Sequence, residues 1–398
     1  MSEGHKLRVG VLFGGRSSEH EVSLRSALTV MSAMDPARYE VVPIGIGRDG
    51  RWYLREDAIR MLSEAAPRLE ALSAGGVEVS LLPHPANRTL IKASQDGPRI
   101  KAPAARGTSA SARNARQALP GPLDVVFPVL HGTYGEDGTV QGLLELAGIP
   151  YVGAGVLGSA VGMDKDVQKR LLRDAGIPVV RYVALERASW RDDPAAAADL
   201  ARSLGYPVFV KPNALGSSVG ISKVKQESAL HAALEDAFRY DRKVLIEASC
   251  VGRELECAVL GNERPEASIP GEIIVKGHHE FYSYESKYVD PEGAEVKIPA
   301  AVTPAQSEHL RQLAIGSFRA LGLCGMARVD FLARPSLSEI FVNEVNTIPG
   351  FTAISMYPKL WEASGVPLAR LIDRLIELAL EEHRERAELK ITYELKEH

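Results

Sequence analysis

Two alternating apolar runs near the C-terminal end of the chain most constrain its fold. Residues 326–332 and 339–345 have the pattern of strands, and a short turn with Pro and Ser separates them. This spacing predicts an antiparallel hairpin. Polar and charged side chains interrupt both runs, and such groups are costly to bury unless they are paired or bind an ion. These side chains are Arg328 and Asp330 in the first run, Glu344 in the second run, and Asn346 directly after it.

Side chains alternate across a strand, so Arg328 and Asp330 are expected on one face of the first strand. Glu344 and Asn346 share a face of the second strand in the same way. Asp, Glu and Asn supply hard oxygen ligands, which suit Mg²⁺ or Mn²⁺ bound together with phosphate oxygens. An Arg–carboxylate cluster that only ties the hairpin together is the alternative, and the hairpin alone leaves both open.

The segment after the hairpin suits an anion. Residues 347–350 form a predicted turn, in which the backbone N–H of Gly350 can approach a ligand closely. Ser355 precedes a predicted helix that begins near Met356, and free N–H groups at a helix start can bind a carboxylate. Cation ligands, a basic group and an anion pocket therefore fall within residues 326–356.

Composition excludes several classes of partner. At 398 residues the chain is long enough for two or three domains, and its net charge of -4 gives no reason to expect nucleic acid or an acidic membrane. No apolar stretch is long enough to cross a bilayer or to form a signal peptide. The 3 cysteines match no zinc pattern and favour a reducing compartment, so we expect a cytoplasmic protein.

The N-terminal third has two candidate ligand positions. Residues 7–13 predict a buried strand, followed by a glycine turn and a helix near Ser18; Ser18 and Glu21 have capping-box spacing, which gives Glu21 a structural role. Glu19 lies just past the strand end, where it can hold a substrate ammonium or complement the helix dipole. His131 opens a glycine-rich loop after another predicted strand, 123–130. Residues from about 85 to 122 predict an exposed insertion.

The middle of the chain offers two glycine motifs. Residues 153–158 read G-x-G-x-x-G, but the dinucleotide fingerprint needs a second strand ending in an acid about 20 residues on, and 159–175 predict helix. We interpret them as a linker turn. Lys211 ends a predicted strand and precedes the Gly- and Ser-rich loop 213–220, a pattern that suits phosphate groups, with a polar hairpin as the alternative. The aromatic and charged segment 278–288 predicts a lid, and its adjacent histidines lack a third zinc ligand.

Several of these segments resemble the D-alanine–D-alanine ligase family of the ATP-grasp superfamily. The matching segments are 14–23, 131–142, 162–166, 343–350 and 355–356, with Lys287 and Tyr288 in the lid. The resemblance covers most of the chain and leaves the insertion and the C-terminal tail unexplained. It implies an α/β fold of three domains: an open parallel sheet (1–152), a lid domain (153–247) and a C-terminal domain (248–398), with ATP held between the last two.

The resemblance also implies an activity and its residues. ATP would phosphorylate one D-alanine to an acyl phosphate, and a second D-alanine would attack it to give D-alanyl-D-alanine for peptidoglycan. The implied catalytic residues are Glu19, Ser217, Tyr288, Arg328 and Gly350. Substrate would contact His131, Ser355 and Met356. ATP would contact Lys165, Lys211, Ser218, Glu247, Ala248, Cys250, Glu254 and Lys287. Two Mg²⁺ or Mn²⁺ would bind Asp330, Glu344 and Asn346.

Some alternatives remain open at this point. Family members that make D-alanyl-D-lactate commonly replace the lid tyrosine, so Tyr288 favours D-alanine as second substrate. Another ATP-grasp carboxylate–amine ligase, a dinucleotide-binding protein and a non-catalytic binding module are the other candidates. The family also suggests a homodimer and leaves a monovalent cation open.

Overall fold

The computed structural model describes residues 6–63, 76–85, 88–93, 121–216, 218–277, 290 and 293–390. Within this part of the chain the strands form three β-sheets, and the helices cover their faces. Ser217, the predicted lid 278–288 and most of the predicted insertion lie outside the described residues. None of the described helices is long and apolar enough to cross a bilayer.

The first sheet has six strands in the order β5-β4-β3-β2-β1-β6. These are β1 (Leu7–Gly14), β2 (Tyr39–Ile46), β3 (Trp52–Leu54), β4 (Val77–Leu81), β5 (Leu90–Lys92) and β6 (Val125–Val129). The predicted open sheet is parallel only at one end, where β1 pairs with β2 and with the edge strand β6. The pairs from β2 to β5 are antiparallel.

Two local predictions for this domain are wrong. Helix α1 (His20–Ala33) begins after Glu19 without a side-chain cap, and Glu21 instead accepts a hydrogen bond from Arg48 at 2.6 Å, so there is no capping box. The predicted insertion includes strand β5, whose Leu90 and Ile91 are buried. Two apolar residues between polar neighbours gave too short a pattern to predict a strand. Helices α2 (Ala58–Ser63) and α3 (Thr139–Leu146) complete the domain.

The second sheet is small and antiparallel, with the strand order β7-β10-β8-β9. Its strands are β7 (Tyr182–Glu186), β8 (Val208–Pro212), β9 (Ser222–Val224) and β10 (Lys243–Ala248). Its helices are α6 (Arg187–Asp192), α7 (Pro194–Leu204) and α8 (Leu230–Ala237), which share an apolar core with the strands. Lys211 lies on β8 and Glu247 on the neighbouring β10, so adjacent strands bring an opposite pair of charges together.

Helices α4 (Val156–Met163) and α5 (Lys165–Asp174) precede this sheet in the chain but pack against the third one. Ala154, Leu172 and Ile177 belong to the same core as Val329 and Val342. Two helices therefore follow the G-x-G-x-x-G segment, and the next strand of a sheet is β7, which agrees with a linker turn. The limits of the three domains stay predictions.

The third sheet contains the predicted hairpin. Its order is β14-β13-β11-β15-β16, with β12 beside β11. Its strands are β11 (Arg253–Gly261), β12 (Glu266–Ala267), β13 (Gly271–Val275), β14 (Ala294–Lys297), β15 (Gly325–Ala333) and β16 (Ile340–Asn346). Helix α9 (Pro304–Ala320) packs on one face, and α10 (Met356–Ala363) and α11 (Leu368–Ala387) on the other. The antiparallel pairing of β15 and β16 confirms the predicted hairpin.

One apolar core joins the first and third sheets. It contains Val9 and Phe127 from the first sheet, Met326 from the third, and Leu375 from α11. Because the terminal helix fills the space between two sheets, the relative position of the clefts described below depends on its packing.

We therefore expect Leu375→Ala to lower the free energy of unfolding by about 2–5 kcal/mol, since it leaves a cavity in the shared core. Leu389→Ala is the control, because that side chain is 68% exposed and its loss should change stability by no more than about 0.5 kcal/mol. Urea denaturation measures both. Equal effects of the two substitutions would contradict the shared core.

Candidate active site

Two neighbouring clefts lie along the β15–β16 hairpin. The first cleft lies between the second and third sheets, and Lys211, Glu247 and Asp330 line it. The second cleft lies between loops of the first sheet and the third sheet, where Glu19 and Arg328 line it. The predicted ATP residues Ser218, Ala248, Cys250 and Glu254 all lie in the first cleft. The predicted substrate residues His131 and Ser355 and the predicted catalytic residue Gly350 line the second cleft, whereas Met356, the third predicted substrate residue, is not among its lining residues.

Glu344 lines both clefts, so the clefts meet at this side chain. A ligand in one cleft can therefore contact a ligand in the other beside Glu344. Its position follows from strand register, because Glu344 on β16 lies directly opposite Asp330 on β15. Asn346 lies opposite Arg328 in the same register and also lines the second cleft. The four polar residues of the hairpin thus meet at the junction of the clefts, as their alternation predicts.

The positive charge of Arg328 offsets the negative charges of the neighbouring carboxylates. Its Nε and Nη2 donate to the two oxygens of Asp330 at 2.6 and 2.7 Å, and Nε lies 3.0 Å from an oxygen of Glu256. Burial alone would lower the pKa of Arg328, but Asp330 and Glu256 raise it well above its usual value. Asn346 donates to Asp330 at 3.0 Å. An Arg–carboxylate cluster, the structural alternative, is therefore present.

The donor set also fits a divalent ion. Asp330, Glu344 and Asn346 provide two carboxylates and one amide oxygen beside a cleft, and Lys165 lies 3.6 Å from Glu344. Among the described residues, no three His, Cys, Asp or Glu side chains are grouped to hold a metal by themselves. Mg²⁺ commonly binds one or two carboxylates and takes its remaining ligands from water and phosphate. The set therefore suits an ion that arrives with a nucleotide.

Lysines surround the first cleft. Lys165 is the first residue of α5, and its Nζ donates to the carbonyl of Leu215 in the glycine-rich loop at 2.7 Å. Lys211 Nζ lies 2.6 Å from Glu247, and the buried Lys169 lies 3.1 Å from the same carboxylate. Burial alone would raise the pKa of Glu247, but the two lysines hold it at about 2. The sequence analysis did not identify Lys169, which has no motif of its own.

The tip of the glycine-rich loop reaches the first domain. A Cβ atom at Gly216 would lie 2.6 Å from a carboxylate oxygen of Glu19, so a side chain there would collide with it. Glu19 is 9% exposed and lines the second cleft. Its predicted neighbours Ser217 and Tyr288 lie outside the described residues, as does the predicted phosphate ligand Lys287.

His131 is held in one tautomer. Its Nδ1 lies 3.0 Å from the carbonyl oxygen of Ile348, which can only accept, so Nδ1 donates. Its Nε2 then accepts from the Ser26 hydroxyl at 3.3 Å, and the same hydroxyl accepts from the Phe351 N–H at 3.1 Å. Burial lowers the pKa of His131, which favours this neutral form even though Glu19 opposes the shift.

Glu136 also contacts the turn that contains Gly350. Its carboxylate accepts from the Gly132 N–H at 2.7 Å and from the Ile348 N–H at 3.0 Å. Burial, with the nearby charge of Glu19, raises its pKa to about 8. Glu136 lines the second cleft, yet no motif or spacing in the sequence distinguishes it from the other polar residues of its loop.

The residues of the predicted anion pocket lie at the start of α10. Ser355 precedes the helix, and its hydroxyl accepts from the Thr352 N–H at 2.9 Å. Gly350 must be small, because a Cβ there would lie 2.8 Å from the Ser355 hydroxyl oxygen. Met356 is the first residue of the helix and has a buried side chain.

Known proteins resemble this chain over nearly its full length. The D-ala D-ala ligase N-terminus family matches residues 8–154, and the D-ala D-ala ligase C-terminus family matches residues 171–377. The chain is 50% identical over 382 residues to D-alanine--D-alanine ligase A of Chromobacterium violaceum, covering 95% of this chain and 96% of that protein. The chain belongs to the D-alanine–D-alanine ligase family. It is 45% identical to D-alanine--D-alanine ligase A of Escherichia coli K12 over 387 residues, 97% of this chain and 99% of that protein.

Solved structures of the ligase family agree with this fold. The D-alanine-D-alanine ligase from Coxiella burnetii superposes with a TM-score of 0.79 at 38% identity, covering 96% of this chain and 97% of that one. The VanG D-Ala:D-Ser ligase from Enterococcus faecalis gives 0.78 at 34% identity, covering 94% and 100%. The predicted ATP-grasp fold class of three domains is confirmed, and the chain is an ATP-dependent ligase whose family uses a divalent metal ion.

The pKa of Glu136 predicts how the stability of this ligase depends on pH. Its folded value of about 8 exceeds the ordinary value of 4.5, so the unfolded chain loses the proton first as pH rises. The parent should therefore lose stability relative to Glu136→Gln across this interval, by at most about 1.4 kcal/mol per pH unit.

Urea denaturation at pH values from about 5 to about 8 measures the difference between the parent and Glu136→Gln. The matched change at the exposed Glu362 should leave the pH dependence of the parent unaltered. Parallel pH profiles for the parent and Glu136→Gln would show that Glu136 does not keep its proton in the folded state.

Proposed function

We propose that the chain joins two D-alanine molecules into D-alanyl-D-alanine, with ATP converted to ADP and phosphate, as a step of peptidoglycan precursor synthesis. The observation that supports this most directly is the position of Glu344, which lines both clefts. ATP in the first cleft and D-alanine in the second would meet there. The three proposed domains, 1–152, 153–247 and 248–398, each contribute one of the three sheets.

The reaction needs two steps because a carboxylate is a poor electrophile. A carboxylate oxygen of the first D-alanine bonds to the γ-phosphorus of ATP, and the bond to ADP breaks. The amine of the second D-alanine, after losing a proton, then attacks the carbonyl carbon of this acyl phosphate. Collapse of the tetrahedral oxyanion forms the peptide bond and expels phosphate.

The first step gathers negative charge at the junction of the clefts. Lys165 and Lys211 supply positive charge to the phosphates there, and Lys287 is proposed to join them from the lid. Two Mg²⁺ or Mn²⁺ ions, held by Asp330, Glu344 and Asn346, would neutralise phosphate oxygens and assist the departure of ADP. Ser218, Ala248, Cys250 and Glu254 line the cleft around the rest of the nucleotide.

The second step needs orientation and an oxyanion site. Glu19 binds the ammonium of the first D-alanine, and Ser217 and Tyr288 are proposed to complete that group. Arg328 and the N–H of Gly350 stabilise the tetrahedral oxyanion, and both line the second cleft. His131 acts near the substrate carboxylate in its neutral form. Ser355 and the N–H of Met356 hold the carboxylate of the second D-alanine.

Location and assembly belong to the same proposal. We expect action in the cytoplasm, where ATP is present and where the three free cysteines can stay reduced. A homodimer is proposed because the family resemblance suggests one. The net charge of -4 gives no support for nucleic acid or a membrane as partner. A monovalent cation stays open as an activator.

Phosphate release with ATP and Mg²⁺ tests the proposal first. D-Alanine alone should release phosphate and form the dipeptide, and adding D-serine or D-lactate should give little mixed product. Mixed product in preference to D-alanyl-D-alanine would favour the specificity in the name of the VanG relative or a D-lactate ligase. ATP binding without D-alanine-dependent phosphate release would indicate a binding module, and tight NAD binding a dinucleotide protein.

Asp330→Asn should lower turnover by roughly two to three orders of magnitude, because a bound ion contributes several kcal/mol of charge stabilisation. The fold should persist, since Arg328 keeps Glu256 as a partner. Glu339→Gln is the matched control on the same hairpin, because Glu339 is exposed and pairs with Arg334 away from both clefts. Comparable activity of Asp330→Asn and the parent would remove the metal assignment.

A further inference from the structure

Lys169 is a buried cation whose contacts lead into the first cleft. Its side chain on α5 is 1% exposed, and its Nζ lies 3.1 Å from one oxygen of Glu247. The same Nζ donates to the backbone carbonyl of Asn343 at 2.9 Å. A lysine is seldom fully buried without a specific partner, and here the partner is a side chain that lines the cleft.

Lys211 closes these contacts into a ring, which we call the Lys169–Glu247–Lys211–Asn343 ring. Lys211 Nζ lies 2.6 Å from the other oxygen of Glu247 and donates to the side-chain oxygen of Asn343 at 3.3 Å. The ring joins α5, β10, β8 and β16, so it ties the second sheet to the strand that contains Glu344. Each oxygen of Glu247 therefore lies within ion-pair distance of one ammonium group.

Two ammonium groups keep Glu247 ionised. Burial alone would favour the protonated acid, yet the lysines outweigh it and keep the pKa near 2. An ionised carboxylate can only accept hydrogen bonds, and each of its oxygens retains a lone pair beyond the one that faces a lysine. Glu247 therefore offers the first cleft a fixed anionic acceptor and no donor.

The two lysines differ in what they can touch. Lys211 is among the described residues that line the first cleft, so it can contact a nucleotide directly. Lys169 is not among them and reaches the cleft only through Glu247 and Asn343. Any influence of Lys169 on which nucleotide binds must therefore act through the position and charge of its partners.

We propose that Lys169 is a positioning residue that sets base specificity, because it fixes Glu247 as an acceptor for the exocyclic amino group of a 6-aminopurine nucleotide. This inference rests on the proposed function, and it takes the contact of Glu247 with ATP to be with the amino group of adenine, as the family resemblance implies. A 6-oxopurine such as hypoxanthine presents a carbonyl oxygen at that position. Two acceptors would then face each other, and a site whose buried polar group is left unpaired rejects such a ligand strongly.

The experiment compares ATP with ITP in the D-alanine-dependent phosphate release assay. For the parent, kcat/KM should be much higher for ATP than for ITP. Lys169→Met leaves Glu247 with one ammonium partner and freedom to turn or take up a proton. We expect the ATP/ITP ratio of kcat/KM to fall by about tenfold, mainly through a higher KM for ATP.

Lys243→Met is the matched control. Lys243 lies on the same strand as Glu247 and is largely buried, but its Nζ pairs with Asp164 at 2.9 Å and Asp166 at 3.3 Å. Its removal should leave the ATP/ITP ratio of the parent unchanged. Lys169→Arg, which keeps the charge, should retain most of the discrimination that Lys169→Met loses. A ratio is used because it does not change when a variant merely yields less folded enzyme.

A further pair of variants guards against failure of Lys169→Met to fold. Glu247→Gln presents an amide that can donate to a 6-oxo group, so it should accept ITP more readily. The double variant Lys169→Met/Glu247→Gln removes both charges and should have the same ATP/ITP ratio as Glu247→Gln alone, because Lys169 acts through Glu247.

The possible outcomes test the role of Lys169 and the proposed ligase function separately. An unchanged ATP/ITP ratio in Lys169→Met, or a double variant that discriminates differently from Glu247→Gln, would overturn the role of Lys169 while the ligase activity stands. No D-alanine-dependent phosphate release by the parent would instead overturn the proposed function. A selective fall in the ratio for Lys169→Met, with Lys243→Met like the parent, supports the inference.

Discussion

The pairing of two carboxylates across the β15–β16 hairpin is the constraint on which the site depends. Asp330 lies opposite Glu344 in the register, and like charges so placed repel each other unless a cation intervenes. Arg328 contacts Asp330 through two hydrogen bonds, and Lys165 lies near Glu344. An ion bound with nucleotide would compete with these cations for the same oxygens. The hairpin carboxylates are thus paired with cations of the protein, and the same oxygens are the proposed metal ligands.

The first cleft contains a second group of charged residues besides those of the hairpin. The Lys169–Glu247–Lys211–Asn343 ring carries two positive charges and one negative charge, so its net charge favours a polyphosphate. Asn343 precedes Glu344 in the chain. The residue that closes the ring is therefore next to the residue at the junction of the clefts, and a shift of either sheet would disturb both.

Sequence reasoning was most successful where one strand or one loop determined the outcome. The alternation of side chains along each strand predicted that Asp330, Glu344 and Asn346 lie together. The register of β15 with β16 agrees with this prediction. Sequence reasoning failed where a contact depends on packing between distant segments. Lys169, for example, contacts Glu247 because α5 packs against the third sheet. The capping box failed because helix α1 begins at His20, so the residue before the helix is Glu19 and not Ser18. Short strand β5 was missed because three residues give too little periodicity.

The first domain contributes more than Glu19, the proposed ammonium partner. His131 and Glu136 bind the carbonyl and the N–H of Ile348, and Ser26 accepts from the N–H of Phe351. Gly350 lies between Ile348 and Phe351, whose backbone groups bind side chains of the first domain. These contacts fix the direction of the Gly350 N–H. An oxyanion site is effective when its donors are already oriented. If the N–H of Gly350 acts as the proposed oxyanion donor, packing of the first domain against the third is part of the chemistry, because a small rotation between them would turn that donor away from the developing charge.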